Sequence, residues 1–309
     1  MKGPIDTPTI AIVGSLNLDT LVSVPHLPQP GGTVTAEGWE MRYGGKGANQ
    51  AVAACRQGAI VSMIGCLGND AFGLPYLERL MSLGMNVTGI IVRDDCGTGS
   101  ALVYVNPEGE NSIVVLKGAN GLLTRDDVLA QSTVLETADV VVCQLETTLE
   151  ATVAALRRAN ELHKTAILNP SPLIAEFPWG HVMIDYLILN EREAAALLGF
   201  FVESTSEAPQ IRAKMSSLGV GTLIVTRGAQ PTFAISTHQA LKIPPPQVHV
   251  IDTVGAGDAF TGTFAVHWAQ THDLLGSIRK ANIAGALTTT KTGAQDAIPS
   301  REEVDNFGS

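Results

Sequence analysis

Short apolar runs recur along this chain and alternate with stretches whose apolar positions repeat every three or four residues. Residues 9–14 (TIAIVG) predict a buried first strand that stops at Gly14. Further strands are predicted at 60–66, 138–143, 166–169, 186–189 and 222–226, and one at 247–251. Helical patterns cover 46–57, 71–83, 124–136, 149–163, 191–198 and 208–218. Gly58 and Gly84 are stop signals, and two long helices follow at 256–270 and 274–290. Near-continuous apolar strands alternating with helices predict an α/β fold, with a mostly parallel sheet covered by helices on both faces.

A second kind of strand stands apart. Residues 21–24, 33–43, 99–105 and 111–116 are extended in pattern but partly polar. The last two flank Asn106-Pro107-Glu108-Gly109-Glu110, a turn sequence, and predict a hairpin. Such strands do not suit a sheet buried on both faces. Segments 15–45 and 97–118 are therefore expected to form a small β lid on a single α/β domain spanning 1–309.

Composition narrows the function. Hydrophobic residues make up 45% of the 309 residues and charged residues 16%, which excludes a disordered chain. The net charge of −10 argues against a nucleic-acid partner, which needs a basic face. It leaves phosphate binding open, because backbone N–H groups bind anions without net positive charge. No apolar run reaches the length of a membrane span, and residues 1–9 carry no signal-peptide core. Cys55, Cys66, Cys96 and Cys143 lack metal-ligand spacing and read as free thiols. A cytoplasmic protein without nucleic-acid or membrane partners is expected.

Glycine is abundant, at 31 residues, and much of the candidate chemistry lies where glycines cluster. Asp252-Thr253-Val254-Gly255-Ala256-Gly257-Asp258 turns into an apolar helix. Its glycines let a ligand approach the backbone, and N–H groups at Gly255, Ala256 and Gly257 would form an anion hole. Asp258 there either reaches a hydroxyl beside a bound phosphate or merely complements the helix dipole. Gly44-Gly45-Lys46-Gly47-Ala48-Asn49-Gln50 is a second strand-to-helix turn, with donors on Lys46 and Asn49. After the first strand, Asn17 and Asp19 alternate onto one side and suit neighbouring sugar hydroxyls; an Asx turn is the plainer reading. Asn190 and Glu193 have capping-box spacing. Glu146 follows the end of the 138–143 strand, where ligands gather in open α/β sheets. Neither a Walker A loop nor a GxGxxG fingerprint is present.

In this order, GSLNLD, GGKGANQA, the strand-end Glu146, NERE and DTVGAGDAF resemble the ribokinase/phosphofructokinase-B family of sugar kinases, from about Thr9 to Phe307. The GGKGANQA wording, with Lys46 and Gln50, and the GSLNLD segment point to its ribose-phosphorylating branch. The resemblance implies ATP-dependent phosphorylation of D-ribose at its 5-hydroxyl. A related acceptor such as 2-deoxyribose or a nucleoside is the alternative, and a non-catalytic sugar or nucleotide sensor is a further one. It implies that Asn17, Asp19, Gly45, Lys46, Asn49 and Glu146 hold the sugar, that Asp258 is the base, and that Gly255, Ala256 and Gly257 cradle the transferring phosphoryl group. Asn190 and Glu193 would lie near the ATP phosphates and Mg²⁺, Thr226 and Gly228 beside the nucleotide, and Asn282 by the adenine. A monovalent cation, K⁺, would lie at Asp252, Val254, Thr288, Lys291 and Gly293. The family commonly dimerises through its lid, so a homodimer is expected. The chain departs from the family pattern at Pro231, in place of a glycine of the nucleotide loop, and at Ala297, in place of a hydroxyl residue.

Overall fold

The computed structural model describes residues 7–308. The stretch read for a leader therefore lies mostly outside the described residues.

The first strand, β1 (Thr9–Val13), is buried on both sides. Ala11 and Val13 enter one apolar cluster, and Ile10 and Ile12 enter another on the opposite face. This is the reason its sequence is continuously apolar instead of alternating. Next come β2 (Asn17–Ser23) and β3 (Gly38–Gly44), then helix α1 (Lys46–Arg56), β4 (Ile60–Gly68), α2 (Gly73–Ser82) and β5 (Asn86–Arg93). The hairpin β6 (Gly99–Val105) and β7 (Asn111–Leu116) has the expected bounds. Two short helices follow, α3 (Arg125–Ala130) and α4 (Ser132–Thr137). The alternating part contains β8 (Val140–Cys143), α5 (Leu149–Glu161), β9 (Thr165–Leu168), β10 (Ile184–Asn190), α6 (Glu191–Leu198), α7 (Ala208–Leu218) and β11 (Val220–Arg227). Strands β12 (Gln230–Ser236) and β13 (Ala240–Ile243) precede the long helices α8 (Ala256–Thr271) and α9 (Leu274–Thr288) and the short α10 (Arg301–Asp305).

Nine strands form the large sheet, in the order β13-β12-β11-β10-β9-β8-β1-β4-β5. Pairing is parallel from β5 to β11 and antiparallel on both sides of β12. The chain reverses direction of winding at β1, which lies between β4 and β8. That is the switch point at which an open α/β sheet leaves a crevice at its strand ends. The second sheet has the order β3-β2-β6-β7 and is the expected lid.

Several expectations need correction. Residues 247–251 are not a strand but a mostly exposed irregular segment. Pro244, Pro245 and Pro246 immediately before it supply no N–H with which to begin a ladder. The helix expected at 124–136 is broken into α3 and α4 at Gln131. The strand expected from residue 33 starts at Gly38. The edge strands β5 and β13, and β12 next to β13, are additions to the predicted strands. Pro231 lies in β12 where its register with β11 shifts, so it removes no regular ladder bond. All four cysteines are free, as expected, with Cys66 and Cys143 buried.

Candidate active site

The lid and the strand ends of the large sheet enclose a cavity of about 490 Å³. Thirteen of the residues singled out above line it: Asn17, Asp19, Gly45, Lys46, Asn49, Glu146, Asn190, Glu193, Thr226, Val254, Gly255, Gly257 and Asp258.

The sugar-type side is built on β2 and the start of α1. Asn17 and Asp19 share the inner face of the lid, as strand alternation requires. Gly44 lies on β3 beside Asp19, and a Cβ there would come within 2.1 Å of the Asp19 carboxylate, so only glycine leaves it room. The amide of Asn120 donates to Asn17 Oδ1 at 2.8 Å and fixes which end of Asn17 faces the cavity. Ser15 Oγ donates to Glu146 Oε2 at 2.6 Å, and the Lys46 backbone N–H donates to the same oxygen at 3.1 Å. Burial, reinforced by the nearby Glu146 charge, pushes the Asp19 carboxyl up to about 6. Its Oδ1 is buried without a partner, which suits a donor brought by a ligand. Lys46 is raised above the usual lysine range, chiefly by the Asp258 carboxylate acting against its burial, with Glu146, Glu193 and Asp19 adding to the effect.

Asp258 is buried in the first turn of α8. Asn49 Nδ2 donates to its Oδ2 at 2.9 Å and Gln50 Nε2 to its Oδ1 at 3.0 Å. Both donors sit on α1, which lies so close to α8 that a Cβ on Gly262 would stand 2.4 Å from the Gln50 carbonyl oxygen. Beside Asp258, Gly255 adopts φ +77° and Gly257 faces open space, with no atom within 4 Å of a built Cβ. Among the described residues the N–H groups of Gly255, Gly257 and Asp258 donate to no acceptor. Free first-turn donors around a cradle that a side chain would fill fit a phosphate.

The other residues are distributed around this centre. Asn190 and Glu193 form the capping box of α6, which occupies Asn190 Oδ1 and Glu193 Oε2. Gly228 lies in the β11–β12 turn at φ +57° with open space around it. Asn282 is buried outside the cavity, accepting from Thr232 Oγ1 at 2.7 Å and donating to the Ile243 carbonyl. Ala256 opens α8 but does not line the cavity. Asp252 ties two loops together: its carboxylate accepts the N–H groups of Val254 at 3.0 Å and Gly293 at 2.9 Å. Arg42 of the lid comes within 4.0 Å of Asp252 Oδ2. Thr288 spends its hydroxyl on the Ala284 carbonyl, and Lys291 pairs with Glu303. Among the described residues the carbonyl oxygens of Asp252, Val254, Lys291 and Gly293 accept no hydrogen bond, so hard oxygen donors are free for a cation there. No group of three or more His, Cys, Asp or Glu among the described residues could hold a metal ion.

Sequence reasoning gave no role to Gln144, Asn169 or Ser171. Asn169 and Ser171 line the cavity and Gln144 backs it. Each lies just past a strand end, and only the spatial order of β8, β9 and β1 brings them to the site.

Residues 7–301 match the pfkB family of carbohydrate kinases. The chain belongs to that family. It is accordingly a phosphotransferase whose acceptor is an alcohol group. Members of this family similar to it include a ribokinase of Haemophilus influenzae, 34% identical over 97% of this chain and 98% of the relative. A deoxyribokinase of Salmonella typhi is 31% identical over 96% of this chain and 98% of the relative. Among solved structures, the ribokinase of Arabidopsis thaliana complexed with ribose and ATP superposes with a TM-score of 0.85, at 28% identity over 97% of this chain and 98% of that one. Among the described residues, no helix of this family member is long and apolar enough to cross a membrane.

Proposed function

We propose that this chain transfers the γ-phosphoryl group of ATP to the 5-hydroxyl of D-ribose. The observation that carries the reading is the convergence on one cavity of a sugar-type wall, a buried carboxylate and an unpaired helix N-terminus. Asn17, Asp19, Gly45, Lys46, Asn49 and Glu146 hold the sugar hydroxyls. The 5-hydroxyl oxygen attacks phosphorus as the bond from phosphorus to the β–γ bridging oxygen breaks, and Asp258 accepts the proton. Phosphoryl transfer depends mostly on positioning and charge stabilisation. The free N–H groups of Gly255, Gly257 and Asp258 are held by the fold before reaction and require little reorganisation, while that of Ala256 donates to the Thr253 carbonyl at 3.4 Å. Thr226 and Gly228 flank the nucleotide, and Asn282 supports the adenine side from behind.

Asn190 and Glu193 line the cavity beside this centre and would lie near a Mg²⁺ ion, which would supply charge neutralisation for the transferring group. The free carbonyls of Asp252, Val254, Lys291 and Gly293 would hold K⁺, which would add positive charge beside the anion hole.

The lid's outer face supports a homodimer. Trp39 and Met41 of β3 and Val114 and Leu116 of β7 are exposed on it. An apolar face of that kind requires a cover. Sedimentation at micromolar concentration is expected to give the mass of two chains, and a monomer would exclude lid pairing.

The function is tested by ADP release with ATP, Mg²⁺ and K⁺ against ribose, 2-deoxyribose, fructose and adenosine. Ribose is expected to give the highest kcat/KM, because Asn17 and Asp19 suit hydroxyls on adjacent carbons. A preference for 2-deoxyribose moves the acceptor, and no turnover with any sugar favours a sensor. Asp19 accepts sugar donors as a carboxylate. Since it gains its proton near pH 6, the KM for ribose is expected to rise as pH falls below about 6, by up to about tenfold per unit.

A further inference from the structure

Behind Asp258 a chain of buried amides runs through the floor of the site. Gln50 is fully buried and Gln144 is 1% exposed. Gln50 Nε2 donates to Asp258 Oδ1 at 3.0 Å and to Asn169 Oδ1 at 3.1 Å. Its Oε1 accepts from Gln144 Nε2 at 2.7 Å. Asn169 is itself oriented by the backbone, since its Nδ2 donates to the Ile188 carbonyl at 2.9 Å.

An amide has one donor end and one acceptor end, so the Ile188 carbonyl orients Asn169, and Asn169 and Asp258 together orient Gln50. The Ile188 carbonyl draws the Asn169 amino group and leaves its oxygen toward Gln50. The Gln50 amino group therefore faces Asn169 and Asp258, and its oxygen faces the amino group of Gln144. The far oxygen of Gln144 is buried without a partner above Gly14, where a Cβ would stand only 1.9 Å from it. Glycine at position 14 is thus what gives Gln144 its place.

We infer that Gln144 and Gln50 are positioning residues that hold Asp258 as a proton-free, correctly turned acceptor before the sugar arrives. Gln144 touches neither Asp258 nor the cavity; it acts by giving the Gln50 oxygen a donor, which keeps the Gln50 amino group turned to the carboxylate. A reversed Gln50 would set its carbonyl against Asp258, and that arrangement is relieved by a proton on Asp258. A protonated Asp258 cannot accept the hydroxyl proton. The charged groups around Asp258 are Lys46 from α1, Asp19 from β2, Glu146 beyond β8 and Glu193 from α6, the last three clustered about Lys46. The inference rests on the assignment of Asp258 as proton acceptor.

The test is Gln144→Glu. A carboxylate at 144 accepts an N–H from Gln50 and so reverses its amide. The acid limb of kcat/KM is expected to move up by about one pH unit. On that limb kcat/KM falls about tenfold at a given pH, with recovery at higher pH and ribose affinity by calorimetry within about threefold of the parent. A pH profile superimposed on the parent's overturns the inference. So does a loss that is equal at every pH. Should Gln144→Glu not fold, Gln50→Glu takes its place. Two adjacent carboxylates share a proton, and the same upward displacement is expected. Asp258→Asn separates the two levels: if that variant turns over like the parent, the base assignment fails; if it is inactive while the glutamate variants leave the profile unmoved, only the amide chain fails.

Discussion

Asp258→Asn is expected to bind ribose and ATP nearly as the parent does and to lose turnover by about 10²-fold or more. The substitution is close to isosteric, and the position is buried at the junction of α1 and α8. The packing is therefore retained. What is lost is the ability to take a proton and one of the two acceptors that Asn49 and Gln50 address. Lys46 loses the strongest of the four charges acting on it but keeps Glu146, Glu193 and Asp19, so the ammonium stays neutralised. Steady-state kcat with calorimetric titration of each substrate checks the result. A kcat within tenfold of the parent would remove Asp258 from the mechanism.

Gly47→Ala is expected to damage both stability and catalysis. A Cβ at position 47 would stand 2.6 Å from the carbonyl carbon of Gly14 and from Ser15 N, and 2.7 Å from Gly14 Cα. These are backbone atoms just past the end of β1, and no rotamer change relieves the overlap. The start of α1 must move instead. Overpacking of this kind costs about 1–3 kcal/mol. The displaced helix carries the Gly47 and Lys46 N–H groups away from Ser15 and Glu146, and Asn49 and Gln50 away from Asp258. A misplacement of about 1 Å at a reacting group costs about 10²-fold in rate. A lowered Tm with a raised ribose KM and a reduced kcat is the expected set. An unchanged Tm would mean that α1 has slack at its N-terminus.

Both variants address residues whose importance was legible in the sequence, because glycine runs at strand-to-helix turns have a local physical meaning. The lid was legible for a related reason: its strands are too polar for a sheet buried on both faces, and β6 and β7 fell where the turn at Asn106–Glu110 put them. The edges of the large sheet were harder. Strand β5 pairs on one side only and is half-buried, and β12 and β13 reverse direction beyond β11, so neither shows the continuous apolar run that marks β1 or β8. Residues 247–251 carry a strand-like composition but follow three prolines and reach no partner strand. Gln144 and Asn169 could not be singled out, because a lone amide past a strand end acquires a role only from its neighbours in space. Asn190 and Glu193 show the opposite case, since the capping box expected from their spacing and a place on the cavity wall are both present.

The pairs that close the site are far apart in the chain: Ser15 with Glu146 across 131 positions, and Gln50 with Asp258 across 208. A ribosome making this protein therefore completes Asn17, Asp19, Lys46 and Glu146 long before it reaches Gly255 and Asp258. On the proposed roles, the nascent chain lacks both the proton acceptor and the phosphate cradle until α8 has emerged and docked on α1. On those roles, unfinished copies lack the means to consume ATP, and competence comes only with the last part of the chain.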